Sequence, residues 1–360
     1  MLNWTVRSMW GVPAGNAPAM TRPSHLQPAE WDHHSACWLA WPSHGQLWRD
    51  NLAPAQAEVA ALGRAIAEEG GETLDLLVQD DAAEAQARAA LAPVWDKVRS
   101  HRVPVGDIWL RDTAPIFVKD GQGALQAACF RFNGWGGKYV LPNDDQVAGR
   151  VAALSSLPRV QHDWILEGGS VEVDGEGTVL TTRQCLLNPN RNPGLSQTAI
   201  EAALHTGLGA EKVLWLDEGL LNDHTDGHID TLARFVAPGV VVCMEAEDPA
   251  DPNAATLARL ALDLAAFTDA RGRKLQVVRI PSPGLLLDED GEPMPASYVN
   301  FYIGNRSVVV PIYGTPHDEA AVAALARLFP QHRVVGRSAR AILSGGGAFH
   351  CITQQQPEVS

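Results

Sequence analysis

The chain is short of everything that marks a disulfide scaffold, a zinc ribbon or a membrane span. Its 360 residues include five cysteines: Cys37, Cys129, Cys185, Cys243 and Cys351. The number is odd, the spacing is wide and no two form a CxxC pair. A reducing, cytoplasmic setting is therefore expected, with no structural metal and no cofactor. No apolar run reaches the ~18 residues of a transmembrane helix, and no basic segment followed by an apolar one opens the chain, so no signal peptide is read. Positive charge is scarce: 28 Lys and Arg against 42 Asp and Glu leave a net charge of −14. Nucleic acid and anionic membrane are poor partners for such a surface, whereas a small cationic substrate is compatible with it. No repeat is visible in the letters and no low-complexity block marks a linker.

What is present is a strand and helix alternation over most of the chain. Residues 1–21 lack periodicity and read as a flexible N-terminal extension, with Met20 as a second candidate start; 22–360 read as a single domain. A strand is expected at 36–41, closed by Pro42, then a helix over 54–69 ended by Gly70-Gly71, a strand at 73–78 and a helix at 80–91. Later strands are expected at 114–118, 123–132, 170–173, 178–182, 212–215, 228–235, 240–244, 276–279, 300–303, 307–311 and 333–335, and helices at 144–155, 196–204, 254–270 and 318–328. The pair 170–173 and 178–182, joined by Asp174-Gly-Glu-Gly177, reads as a hairpin. A doubly wound parallel sheet has no need of such hairpins. The pattern predicts an α/β fold of several small mixed sheets around an axis.

Four stretches carry chemistry. Ser344-Gly-Gly-Gly-Ala-Phe-His-Cys351 sets a thiol beside a histidine after a tight glycine turn, which suits a nucleophile and equally a turn before a strand with a buried thiol. Trp109-Leu-Arg-Asp112 places a carboxylate near an apolar wall; a carboxylate matches a guanidinium in a planar two-bond fork. Glu167-Gly-Gly-Ser170 offers an acid able to orient a histidine. Asp226-Gly-His-Ile-Asp230 is expected to open a strand, with Asp226, His228 and Asp230 on one face. Those three side chains suit either acid/base work beside a cation or metal ligation, with His224 adding weight to the latter. Phe132-Asn-Gly-Trp-Gly-Gly-Lys138 reads as a pocket wall or lid, and Asn188-Pro-Asn-Arg-Asn-Pro193 as a structural turn.

Taken in order, these pieces, with Pro28-Ala-Glu-Trp31, Trp38-Leu-Ala-Trp-Pro42, Tyr298-Val-Asn-Phe-Tyr302 and Gly345 to Pro357, resemble the agmatine deiminases and bacterial-type peptidyl-arginine deiminases. The resemblance runs from about Pro28 to Pro357. It implies a five-bladed α/β propeller, the pentein fold, with pseudo-fivefold symmetry and the site in a central channel. It implies Cys351 as nucleophile, His228 as general acid/base and Glu167 as the partner of that histidine. Asp112 and Asp230 are the implied holders of the guanidinium, and Trp109 and Trp135 the channel lining. The implied reaction is metal-free hydrolysis of a guanidinium through a covalent thiouronium, with agmatine the leading substrate and putrescine formation its use. Peptidyl arginine or another arginine derivative is the alternative, and a metal-dependent hydrolase using Asp226, His228 and Asp230 a remote one. For the far end of the substrate, His224 stands where some relatives carry an acid. Asp226 or Asp223 would then take the amine of agmatine, and Arg131 or Lys138 the carboxylate of an arginine. A homodimer is a family expectation.

Overall fold

The computed structural model describes residues 25–359, so the expected extension over 1–21 and both candidate start methionines lie outside the described residues. The described strands form five separate sheets, each of three or four strands. One local order recurs. A strand pairs antiparallel with the next, a helix follows, and a third strand returns parallel to the second. The first such unit uses Ile116–Asp120, Leu125–Arg131, the helix Val147–Leu154 and Arg159–Ile165. The second uses Val171–Val173, Thr178–Thr182, Gln197–Leu208 and Lys212–Leu216. The third uses Ala233–Ala237, Val240–Glu245, Ala254–Ala266 and Gln276–Pro281. The fourth uses Tyr302–Ile303, Ser307–Ile312, Asp318–Leu328 and Arg333–Ser338. The fifth is assembled from both ends of the chain: Gln354–Pro357 pairs antiparallel with His34–Ala40, followed by the helix Leu52–Arg64 and Leu74–Val78. A one-residue register slip would turn the buried faces of these strands outward, which fixes the pairing.

Local signals explain where the helices start and stop. Ser196 accepts a hydrogen bond from Ala199 N, and Gly209, at φ +79°, ends that helix in the left-handed region. Asp80 caps the helix Asp81–Ala90 through Ala83 N; such a cap contributes about 1 kcal/mol. The helix expected over 54–69 is α-helical at Leu52–Arg64 and continues as a wider π turn over Ala65–Glu69. The helix expected over 254–270 stops at Ala266, because Thr268 bridges Lys274. Strands Val98–Arg102 and Arg159–Ile165 were not foreseen. Both are sheet edges rich in Arg, His and Gln with half-exposed side chains, so they lack an apolar run. The strand expected at 228–235 begins only at Ala233, and Ile229–Thr231 form a single helical turn. No described helix is long and apolar enough to cross a membrane.

Each unit is entered through a tight turn just before its first strand. These turns are Leu110–Thr113, Gly168–Ser170, Ile229–Thr231, the bend ending at Asn300, and Phe349–Ile352. The residues singled out in the sequence lie on or beside them. Behind the turns, Arg234 is fully buried and bonds Glu30 at 2.5 Å, Glu172 at 2.8 Å and the Phe301 carbonyl at 2.8 Å. Removing one partner of a buried ion cluster leaves the others uncompensated. Arg234→Met should therefore lower stability by about 3–5 kcal/mol, read as a lower urea midpoint at unchanged slope.

Candidate active site

A cleft of about 810 Å³ opens over these turns and is lined by Trp48, Trp109, Asp112, Trp135, His224 and Cys351, among others. Glu167, His228 and Asp230 lie just beneath it, fully buried. Cys351 Sγ sits 3.6 Å from Asp230 Oδ2, which accepts from the thiol. Asn300 holds the nucleophile's turn: its Oδ1 accepts from His350 N and Cys351 N, and its Nδ2 donates to Sγ at 3.1 Å. Trp135 Nε1 donates to Asp112 Oδ2 at 2.8 Å, and Gly169 N donates to Oδ1 at 3.0 Å. His228 Nδ1 approaches Asp112 Oδ1 at 3.8 Å.

The glycines of both motifs have steric causes. A Cβ on Gly168 would stand 2.2 Å from the Arg111 carbonyl oxygen. A Cβ on Gly169 would stand 2.6 Å from His228 Nδ1 and 3.0 Å from both Asp112 Oδ1 and Asp230 Oδ2. One point therefore has an imidazole and two carboxylates within contact. Gly345 and Gly347 lie against the Trp109 indole, where a Cβ would come within 2.8 Å of ring carbons. Trp109 is in turn stacked on Trp48, and both indole N–H groups donate to Asp107. Trp135 is held at φ +51° between glycines, in the left-handed region. That conformation costs a non-glycine residue roughly 1–2 kcal/mol, and it aims the indole at Asp112.

Burial dominates the electrostatics. It pushes the Cys351 thiol well up, and the Asp230 and Asp112 charges add to the shift. It pushes Asp112 well up too, reinforced by Asp230 and Glu167 and opposed by its Trp135 and Gly169 bonds. It lowers His228 to about 3, against the pull of Asp230. Burial also opposes charge on Asp230, but the bond from His350 holds that carboxyl below its ordinary range. The protein's own groups thus favour a thiol and a neutral imidazole before substrate binds. The reason is burial, which disfavours both charged forms, with the two carboxylates further opposing a thiolate.

Other expectations need correction. Glu167 does reach His228: with Cys185 it forms a buried group whose ligand atoms lie within 4.8 Å of one another. Its bonded partner, however, is Arg191 Nε at 2.8 Å, from the turn read as merely structural. Asp226 is not presented to a ligand. At φ +66° it leaves the line of His228 and Asp230, and it is taken by Lys138 Nζ at 2.5 Å, Arg191 Nη1 at 2.5 Å and Asn190 Nδ2 at 3.0 Å. Asp226, His228 and Asp230 therefore offer no common point for a metal, because residues 226–231 form turns instead of an extended strand. Lys138 is spent on that contact, and Arg131 is exposed at the end of its strand, away from the cleft lining. His224 does line the cleft, with Nδ1 3.3 Å from the Tyr139 hydroxyl.

The chain is similar in sequence and fold to known proteins. An agmatine deiminase from Stutzerimonas stutzeri is 42% identical over 356 residues, covering 92% of this chain and 95% of its own length. The solved agmatine deiminase of Enterococcus faecalis superposes with a TM-score of 0.86 at 34% identity, covering 94% of this chain and 97% of its own. A cysteine-to-serine variant of the C. jejuni agmatine deiminase, solved with substrate bound, gives a TM-score of 0.84 at 28% identity over 93% of this chain and 97% of its own. The profile of the Porphyromonas-type peptidyl-arginine deiminases matches residues 26–357, and the chain belongs to that family.

Proposed function

We propose that the protein hydrolyses agmatine to N-carbamoylputrescine and ammonia. The observation that carries this is the single point beside Gly169 that meets His228, Asp112 and Asp230 together, with the Cys351 sulfur beside the last. Two carboxylates flanking one point suit a flat cation, and a thiol beside them suits attack on its central carbon. Similarity to relatives that are agmatine deiminases supports the same reading. The recurring strand order, with a site turn before each first strand, supports a single five-bladed propeller. Its five turns would meet at one channel end.

The order of steps follows from the charges. A bound guanidinium compensates Asp112 and Asp230, which removes the two charges that raise the Cys351 thiol. The thiol proton passes to neutral His228 and the sulfur adds to the guanidinium carbon. The imidazolium then protonates the departing nitrogen, and ammonia leaves. A covalent thiouronium remains on Cys351. Water, losing a proton to His228, adds to the same carbon; the C–S bond breaks, the His228 proton returns to sulfur, and the remaining hydroxyl proton leaves to solvent, where ammonia takes it up, giving the ureido product and the free thiol. Glu167, braced by Arg191, supports the imidazolium while it exists. The two carboxylates orient the guanidinium carbon toward the sulfur.

For the distal group, Asp50, Asp288, Glu289 and Asp290 on the cleft wall outnumber Arg49 and Arg340. That balance favours a second cation, as in agmatine. A second reading rests on size: about 810 Å³ lies within the roughly 300–1,000 Å³ of pockets for drug-sized ligands. Such a cleft has room for an arginyl peptide, with Arg340 for its carboxylate. Ammonia release should be measured for agmatine, free arginine and a peptide ending in arginine. Agmatine should give the highest kcat/KM. Ammonia from the peptide and none from agmatine would reverse the assignment.

A further inference from the structure

His350 stands next to the nucleophile in sequence, yet its ring points away from the cleft and lines none of it. Its Nδ1 lies 2.7 Å from Asp230 Oδ2 and its Nε2 2.8 Å from Glu30 Oε2, all three side chains being buried. A neutral imidazole has one N–H to give and an imidazolium has two. With a carboxylate oxygen on each side, only the imidazolium donates to both. Beyond Glu30 the charges keep alternating. Arg234 bonds Glu30 and Glu172, and Arg111 approaches Glu30 at 3.7 Å while donating to the His350 carbonyl. The chain Asp230, His350, Glu30, Arg234, Glu172 thus runs from the floor of the site into the core with alternating sign. At its site end, Asp230 Oδ1 is buried and has no partner among the described residues.

We propose that His350 is a positioning residue that holds the Asp230 carboxylate in one rotamer, with Oδ2 beside the Cys351 sulfur, ready for the substrate cation. The inference rests on the reading of the site given above and adds a role that the cleft itself does not display. By bonding Oδ2, the imidazolium fixes the carboxylate rotamer and with it the distance from Oδ2 to the Cys351 sulfur. It also supplies the positive charge that lets a carboxylate stay ionised without water. Asp230 is faced by His350 and Cys351 from the last turn, by His228 from its own, by Asp112 and Asp223 as like charges, and by Arg234 from behind. Among these, His350 makes the closest bond to it from a cationic group, and it is the one linked on its far side to a second buried anion.

Two neutral replacements separate charge from hydrogen bonding. The amide of His350→Asn reaches the Nδ1 position and keeps a donor on Asp230; that of His350→Gln reaches Nε2 and keeps one on Glu30. Both should lower kcat/KM for agmatine about 10- to 100-fold, chiefly through KM, with the Gln variant the weaker enzyme. Loss of the imidazolium raises the Asp230 pKa, so the acid limb of kcat/KM should move to higher pH. A merely structural role would lower the melting temperature and the fraction of active sites, titrated by alkylation of Cys351, and leave that limb in place; this result overturns the proposal. A measurement on the wild-type protein stands independently of whether the variants fold. Nitrogen-15 shifts of His350 at neutral pH should show both ring nitrogens protonated, and a neutral ring refutes the inference. Wild-type protein that releases no ammonia from any guanidine would instead sink the reading of the site, with the ring-nitrogen result unaffected.

Discussion

Cys351→Ala should lower agmatine turnover by at least ~10⁴-fold, the scale seen when a covalent nucleophile is removed. Binding should survive. Asp112, Asp230 and Trp135 remain, and the substitution deletes a sulfur that crowds two carboxylates, so calorimetry with agmatine should give a dissociation constant close to the wild-type KM or below it. The prediction is sharpened by the other cysteines. Cys37, Cys129, Cys185 and Cys243 are buried to 1% exposure or less, and only Cys351 opens on the cleft. Iodoacetamide on the native protein should therefore label Cys351 alone, and mass spectrometry of the digest reads this directly. Because burial and then the two carboxylates hold the thiol well above its ordinary pKa, labelling should be slow at neutral pH and accelerate as pH rises. Turnover that persists in the Ala variant, or a chelator that abolishes wild-type activity, would contradict the thiol mechanism.

The residues proposed to react could be singled out in the sequence because each sits in a short motif with a local cause. Gly168 and Gly169 admit a carbonyl and three polar groups; Gly345 and Gly347 admit an indole. What holds those groups was not legible. Arg191 looked like part of a turn, yet it braces Glu167 and Asp226, which lie 24 and 35 residues away. Glu30 was visible only as one letter of Pro28-Ala-Glu-Trp31, and its partners are His350 and Arg234. Contacts of this kind have no period and no fixed offset, because they form between turns that meet only when the sheets are placed. The misread strand at 228–235 has the same origin. Alternation implied one face for Asp226, His228 and Asp230, but a positive φ at Asp226 and a helical turn after His228 broke that face. The fold class was legible from the hairpins, whereas the polar edge strands were not.

Gly169→Ala tests the geometry on which the function rests, without touching a reacting atom. Gly169 does not sit in the left-handed region, so alanine meets no backbone penalty there. The obstacle is space. The new methyl would lie 2.6 Å from His228 Nδ1 and 3.0 Å from one oxygen each of Asp112 and Asp230. These are groups fixed by other bonds: Asp112 by Trp135, Asp230 by His350. The carboxylates can retreat only by giving up those bonds, and His228 must turn away from both of them. Overpacking of this kind costs about 1–3 kcal/mol in stability, which should leave a folded protein with an intact near-ultraviolet spectrum. Catalysis should suffer far more, because displacing reactive groups by about 1 Å removes about 10²-fold in rate. We therefore expect kcat/KM to fall at least ~100-fold, with alkylation of Cys351 still complete. Gly121→Ala, where nothing lies within 4 Å of the added carbon, is the matched control and should change neither quantity. Normal agmatine turnover in Gly169→Ala would mean that the reaction does not depend on the present placement of His228, Asp112 and Asp230.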